Sequence, residues 1–197
     1  MVNKKYYNKA GYFHGRFQPF HLGHLDVVKY ILELCNLLVI GISNPFRTYP
    51  YINESYNQEE IKSLEIARNP ENNPFPYWAR VFMIRQGLKE EGVDLSKILF
   101  IPNLNDTGLP INEIRLPKEL TIIFICPKDA HNKAKVKSYL DKGWRVIEVP
   151  VSEKCPGSAV IREAIKNGGQ WEMFVPKGTA KFIKKYLEEK LYKLKIY

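Results

Sequence analysis

Two histidines and an arginine share one short stretch, Gly15-Arg16-Phe17-Gln18-Pro19-Phe20-His21-Leu22-Gly23-His24. His21 and His24 stand three apart, so in a helical turn they share a face. Two imidazoles placed that way can donate hydrogen bonds to neighbouring oxygens of a polyphosphate. Arg16 adds a charge that persists at any physiological pH. Gly15 allows a ligand close to the backbone, and Gly23 leaves room between the two rings. A second stretch of similar chemistry lies near the C-terminus, Gly157-Ser158-Ala159-Val160-Ile161-Arg162. The Arg162 guanidinium can hold phosphate oxygens in a fork. Ser158 offers either a hydroxyl to a ligand or a cap to a helix. Taken alone, this second pattern also describes an ordinary surface helix.

These side chains need a frame, and the hydrophobic pattern supplies one. Residues 10–17 read as a strand running into a glycine-containing loop. Leu22–Cys35 reads as an amphipathic helix, with Leu25, Val28, Ile31, Leu32 and Cys35 near helical spacing. The first stretch therefore sits at a helix N-terminus, where unpaired N–H groups and a partial positive charge favour phosphate. Leu37–Ile42 reads as a buried strand. Further on, Tyr77–Glu91 reads as a helix, Lys97–Pro102 and Leu120–Cys126 as strands, and Ala130–Asp141 as a helix. Arg145–Val151 reads as a strand, and Ser158–Lys166 and Gly178–Leu194 as helices. Strands alternating with helices predict an α/β fold with a doubly wound parallel sheet, Rossmann-like, whose ligands bind at the carboxyl ends of the strands. The expected organisation is a single domain over 1–197, with a long inserted loop at 43–75 and a C-terminal helical segment at 171–197.

The loop at 43–75 carries Pro45, Pro50, Pro70 and Pro74, many asparagines, and the aromatics Phe46, Tyr49, Tyr51 and Tyr56. Glu59–Arg68 has the composition of a short helix within it. Loops of this length are usually binding loops, lids or disorder. Beside the ligand edge, this one is expected to be either disordered or a cover over a bound ligand.

The first stretch resembles the H-x-G-H signature of the nucleotidyltransferase superfamily. Its longer form, G-R-F-Q-P-x-H-x-G-H, is similar to archaeal-type nicotinamide mononucleotide adenylyltransferases, and every fixed position matches. Gly157–Arg162 resembles the second signature, S-[GS]-T-x-[IV]-R, with Gly157 for the first Ser and Ala159 for the Thr. Asn73-Pro74-Phe75-Pro76-Tyr77-Trp78-Ala79-Arg80 resembles the family's N-P-F-[TS]-x-x-E-R, with Ala79 for the acidic residue. Trp171–Lys177 resembles the closing W-E-x-L-V-P segment, a match read as structural.

The resemblance implies a nucleotidyltransferase that transfers the AMP moiety of ATP to a phosphate-bearing acceptor and releases pyrophosphate. The leading acceptor is nicotinamide mononucleotide, giving NAD. His21, His24 and Arg162 would be catalytic, the arginine facing the phosphates from the side opposite the histidines. Gly15, Arg16, Phe17, Gln18, Gly23, Gly157 and Ser158 would bind nucleotide. Lys128 and Asp129, on a loop that contacts nucleotide in the family, would join them; a turn and a helix cap describe them equally well. Asn73, Trp78 and Arg80 would bind the acceptor. Mg²⁺ would arrive with the triphosphate, held mostly by substrate and water. Two departures fall on the acceptor side: Leu104–Pro117 has no tryptophan where the family has N-S-x-W-V, and the 43–75 loop is longer than usual. They keep open a cytidylyltransferase, or an adenylyltransferase for another phosphorylated metabolite. Ala159 and Cys126 keep open a nucleotide-binding regulatory module with weak turnover. Gln18-Pro19 favours ATP, since cytidylyltransferases of the superfamily typically carry Asp there.

Composition sets bounds on these readings. The 197 residues include 30 Lys and Arg against 21 Asp and Glu, a net charge of +9. Part of that excess is the lysine-rich tail, and the rest suits anionic ligands such as nucleotides. No nucleic-acid recognition motif is present. Cys35, Cys126 and Cys155 form neither a disulfide framework nor a zinc pattern. Val27–Ile42 contains Lys29 and Glu33 and is too short to span a bilayer. The expectation is a cytoplasmic enzyme without membrane attachment; self-association is left open.

Overall fold

The computed structural model describes residues 5–44, 58, 61, 65, 69–103, 116–127, 130–150 and 155–194. Strands β1 (Tyr6–Gly15), β2 (Cys35–Ser43), β3 (Ile98–Asn103), β4 (Thr121–Ile125) and β5 (Arg145–Glu148) form one sheet in the order β3-β2-β1-β4-β5. Every pairing is parallel. Around the sheet, among the described residues, stand the α-helices α1 (Leu22–Leu34), α2 (Tyr77–Glu90), α3 (Ala130–Asp141), α4 (Ser158–Lys166) and α5 (Lys177–Leu194). The chain winds outward from β1 through β2 to β3, then crosses back to β4 and β5. That reversal puts the switch point between β1 and β4, where the carboxyl ends of a doubly wound sheet take ligands.

Both faces of the sheet are covered, which is why β2 and β4 read as continuous apolar runs. Phe13, Leu38, Ile40, Ile122 and Phe124 pack on one side with Val28 and Ile31 of α1 and Met83, Ile84 and Leu88 of α2. Tyr12, Val39, Ile123 and Ile125 face the other side, with Val136 and Tyr139 of α3. Each fully buried aliphatic side chain here contributes about 1.5–3 kcal/mol. Gly11 matters for placement. A β-carbon there would run into the Ile31 methyl and the Phe124 ring, so the bare Cα lets α1 lie close on β1. The start of α1 is thereby held over the end of β1.

Helix α5 lies across α2, and Thr179 Oγ1 donates to the Met83 carbonyl at 3.2 Å. Trp171 and Val175 are buried in the same core, in keeping with a structural role for that closing segment. None of the described helices is long and apolar enough to cross a membrane.

Most element boundaries shift by one to four residues from the sequence reading. Strand β1 ends at Gly15 rather than 17, because Phe17 turns to a φ of 51°, which no extended strand accommodates. Cys35 is the first residue of β2 rather than the last of α1, with φ −116° and ψ 152°. Helix and strand are both apolar there, so periodicity alone could not find the junction. Strand β5 stops at Glu148 rather than Val151. The aromatics Phe46, Tyr49, Tyr51 and Tyr56, almost all of Glu59–Arg68, and residues 104–115 of Leu104–Pro117 lie outside the described residues.

Candidate active site

Past β1 the chain enters the tight segment Gly15–Phe20, and four of its backbone groups bond to side chains of other elements. Arg80 Nη1 donates to the Arg16 carbonyl at 3.0 Å. Arg162 Nη1 donates to the Gln18 carbonyl at 2.8 Å. Ser158 Oγ donates to the Pro19 carbonyl at 3.3 Å. The Phe20 N–H donates to Met83 Sδ at 3.3 Å. The Gln18–Pro19 peptide bond is cis. Helices α2 and α4 thus hold the segment from the side, and the segment delivers His21 as the N-cap of α1.

The two imidazoles lie face to face, with centroids 3.6 Å apart and planes 23° from parallel. The His21 N–H donates to His24 Nδ1 at 3.2 Å, which fixes the second ring against the first. Gly23 makes this possible: a β-carbon there would stand 3.2 Å from the His21 ring atoms Cε1 and Nδ1. His21 is buried, and its Nδ1 lies 3.5 Å from Cys155 Sγ. His24 also meets the rings of Phe17 and Phe20.

Arg16 and Arg162 are both half-buried. Burial, and then the like charge of Arg162, holds the Arg16 guanidinium below the ordinary arginine value. Burial alone does the same to Arg162. Arg162 Nη2 also donates to the neutral Asn72 Oδ1 at 3.3 Å. Two partly desolvated cations beside one another gain most from a polyanion between them.

Several expected ligand contacts are not available. Gln18 is 1% exposed, and its amide is engaged twice by the backbone of Phe75: Nε2 donates to the carbonyl at 2.8 Å, and the Phe75 N–H donates to Oε1 at 3.0 Å. It ties the loop to the segment before α2 and does not read a base. Phe17 supplies a buried ring rather than a nucleotide contact. Gly157, not Ser158, is the N-cap of α4.

On the acceptor side the correction is larger. Arg80 is completely buried. Besides the Arg16 carbonyl, Nη1 donates to the Ser43 carbonyl at 2.6 Å and Nη2 to the Asn44 carbonyl at 2.8 Å. It is neither an acceptor ligand nor a surface arginine; it locks the ends of β1 and β2 to α2. Asn73 is also fully buried, with Nδ2 donating to the Asn69 carbonyl at 2.8 Å. Trp78 is half exposed, but it stands in the groove between α2 and α5 with its ring against Phe82 and Tyr186. Lys128 and Asp129 lie outside the described residues.

Sequence reasoning missed Asn72 and Cys155, whose residue types carry no signal without their neighbours. It also missed a polar row formed by His14, Ser43 and Asn103 with Tyr139. A histidine within an otherwise apolar strand, one residue before Gly15, was the available clue.

The match to known proteins covers this site. Residues 12–94 match the model of the family described as cytidylyltransferase-like. A nicotinamide-nucleotide adenylyltransferase from Saccharolobus solfataricus is 32% identical, over 88% of this chain and 88% of its own length. The chain belongs to the cytidylyltransferase-like family of nucleotidyltransferases. A phosphonoformate cytidylyltransferase from Streptomyces viridochromogenes is 29% identical, over 89% of this nucleotidyltransferase and 90% of the other. Among solved structures, a bifunctional NMN adenylyltransferase/ADP ribose pyrophosphatase from Francisella tularensis shares the fold. Its TM-score is 0.68 at 22% identity, over 94% of this chain. The chain spans about half the length of that bifunctional protein, 52%.

Proposed function

We propose that this nucleotidyltransferase transfers the AMP moiety of ATP to nicotinamide mononucleotide, forming NAD and releasing pyrophosphate. The observation that carries the reading is the stacked His21–His24 pair at the start of α1, beside Arg16 of the preceding loop and Arg162, which reaches that loop from α4. Relatives of similar length named nicotinamide-nucleotide adenylyltransferases support the choice of acceptor.

An acceptor phosphate oxygen attacks the α-phosphorus in line. The new P–O bond forms as the bond to pyrophosphate breaks. An ionised phosphate needs no general base, and no protein nucleophile takes part. The protein positions two anions and stabilises charge as it shifts to the leaving group. His21 and His24 donate to phosphate oxygens; Arg16 and Arg162 neutralise the polyphosphate. Among the described residues, no group of three or more His, Cys, Asp or Glu could hold a metal ion. In this reading Mg²⁺ travels with the triphosphate, and none of the steps above depends on a protein-held ion.

A second reading is cytidylyl transfer to a different phosphorus-bearing acceptor. The phosphonoformate cytidylyltransferase relative favours it. So does the role of Gln18, whose amide leaves the choice of base to residues elsewhere. Pyrophosphate release with each of the four triphosphates, against a panel of phosphorylated and phosphonate acceptors, separates the two. ATP with nicotinamide mononucleotide is the expected productive pair. Turnover confined to CTP would install the second reading.

A further inference from the structure

On the face of the sheet opposite α1, the carboxyl edge turns polar. His14, Ser43 and Asn103 come from β1, β2 and β3 and project on the side of Tyr12, Val39 and Ile101. Asn103 Nδ2 donates to Ser43 Oγ at 3.0 Å and lies 3.1 Å from His14 Nδ1. An amide nitrogen only donates, so Nδ1 accepts and the imidazole proton sits on Nε2. That nitrogen lies 3.2 Å from the Tyr139 hydroxyl, contributed by α3. The ring is therefore neutral, with its tautomer fixed from two elements. Tyr12 stacks beneath it at 5.5 Å.

Such a row gives folding little that aliphatic side chains would not, because buried polar groups recover their desolvation only through good mutual bonds. Its place points to a ligand. It stands on the β1–β2–β3 half of the ligand edge, one residue before Gly15. The phosphate groups come instead from α1 and from α4, which follows β5. Arg80 ties both regions into one frame through the Arg16 and Ser43 carbonyls.

We propose that His14, Ser43 and Asn103 form the recognition row for the acceptor, and that neutral His14 makes it prefer an uncharged carboxamide to a carboxylate. A carboxylate brought against this row would lose its water without meeting a cation in it, whereas a carboxamide exchanges hydrogen bonds with it. Among the described residues, Arg80, the cation bonded to the Ser43 carbonyl, is already engaged by three carbonyls. The inference rests on the acceptor reading above.

The test compares kcat/KM for nicotinamide mononucleotide and nicotinate mononucleotide with saturating ATP. The native chain should favour the amide by about tenfold or more. His14→Phe should bring that ratio close to one and raise KM for the amide about tenfold, with KM for ATP within about twofold. His14→Asn, which keeps an acceptor for Asn103, should retain most of the preference. Should His14→Phe fail to fold in a thermal melt, Tyr139→Phe removes only one hydroxyl and must shift the ratio the same way. A native preference for the carboxylate, a ratio unmoved by these variants, or equal rises in both KM values would overturn the proposal. Turnover of neither mononucleotide would instead sink the acceptor reading, and the carboxamide preference with it. The row itself would then stand only if His14→Phe raised KM for the acceptor actually used and spared the triphosphate.

Discussion

The two halves of the ligand edge use their arginines in opposite ways. Arg16 and Arg162 are half-buried; burial holds both below the ordinary arginine value, and at Arg16 the like charge of Arg162 adds to it. Arg80 is wholly buried, and its two terminal nitrogens are occupied by the carbonyls of Arg16, Ser43 and Asn44. In the proposed reading the first pair neutralises the triphosphate. The third arginine is matched in advance by carbonyl dipoles and serves as a rivet. All three belong to segments that resemble family motifs, so a motif arginine alone does not reveal which kind it is. The surrounding acceptors decide.

Arg80→Ala should therefore act on stability before activity. It leaves three carbonyls at the ends of β1 and β2 without their donor, a loss of about 3–5 kcal/mol, and a thermal melt measures it. Arg80→Lys should not restore the melting temperature, because a point charge cannot reach carbonyls on two strands with fixed geometry. A stable Arg80→Ala protein with only a raised acceptor KM would erase the contrast and return Arg80 to the acceptor site.

His24→Ala sharpens the other side. Turnover should fall by roughly 10²–10³-fold, with the melting temperature little changed, if the ring donates in the transition state. Unchanged kcat at saturating triphosphate would take His24 out of the chemistry. Arg162→Lys should cost less, about tenfold or somewhat more in kcat/KM for the triphosphate, since the charge survives and the fork does not. Full activity in that variant would leave Arg162 a general electrostatic role.

The smallest effect is expected at Trp78. Its ring packs on Phe82 and Tyr186 in the α2–α5 groove, so Trp78→Ala should leave both KM values within about twofold. A selective rise in acceptor KM would show that the acceptor reaches that groove.

By itself the sequence determined the parallel α/β architecture and the helix start that carries His21 and His24; the partnership of that segment with Gly157–Arg162 came only through the family resemblance. The first two features are local: periodicity, caps and short spacings express forces that act within one or two turns of chain. Tertiary structure alone decided the strand order, the burial of Arg80 and Asn73, and the use of Gln18 on Phe75, 57 residues away. It also joined His14 to Asn103 and Tyr139, 89 and 125 residues along the chain. The reason is that a polar side chain's role depends on who meets its hydrogen bonds. For a buried group those partners come from other strands and helices, where no sequence spacing records them.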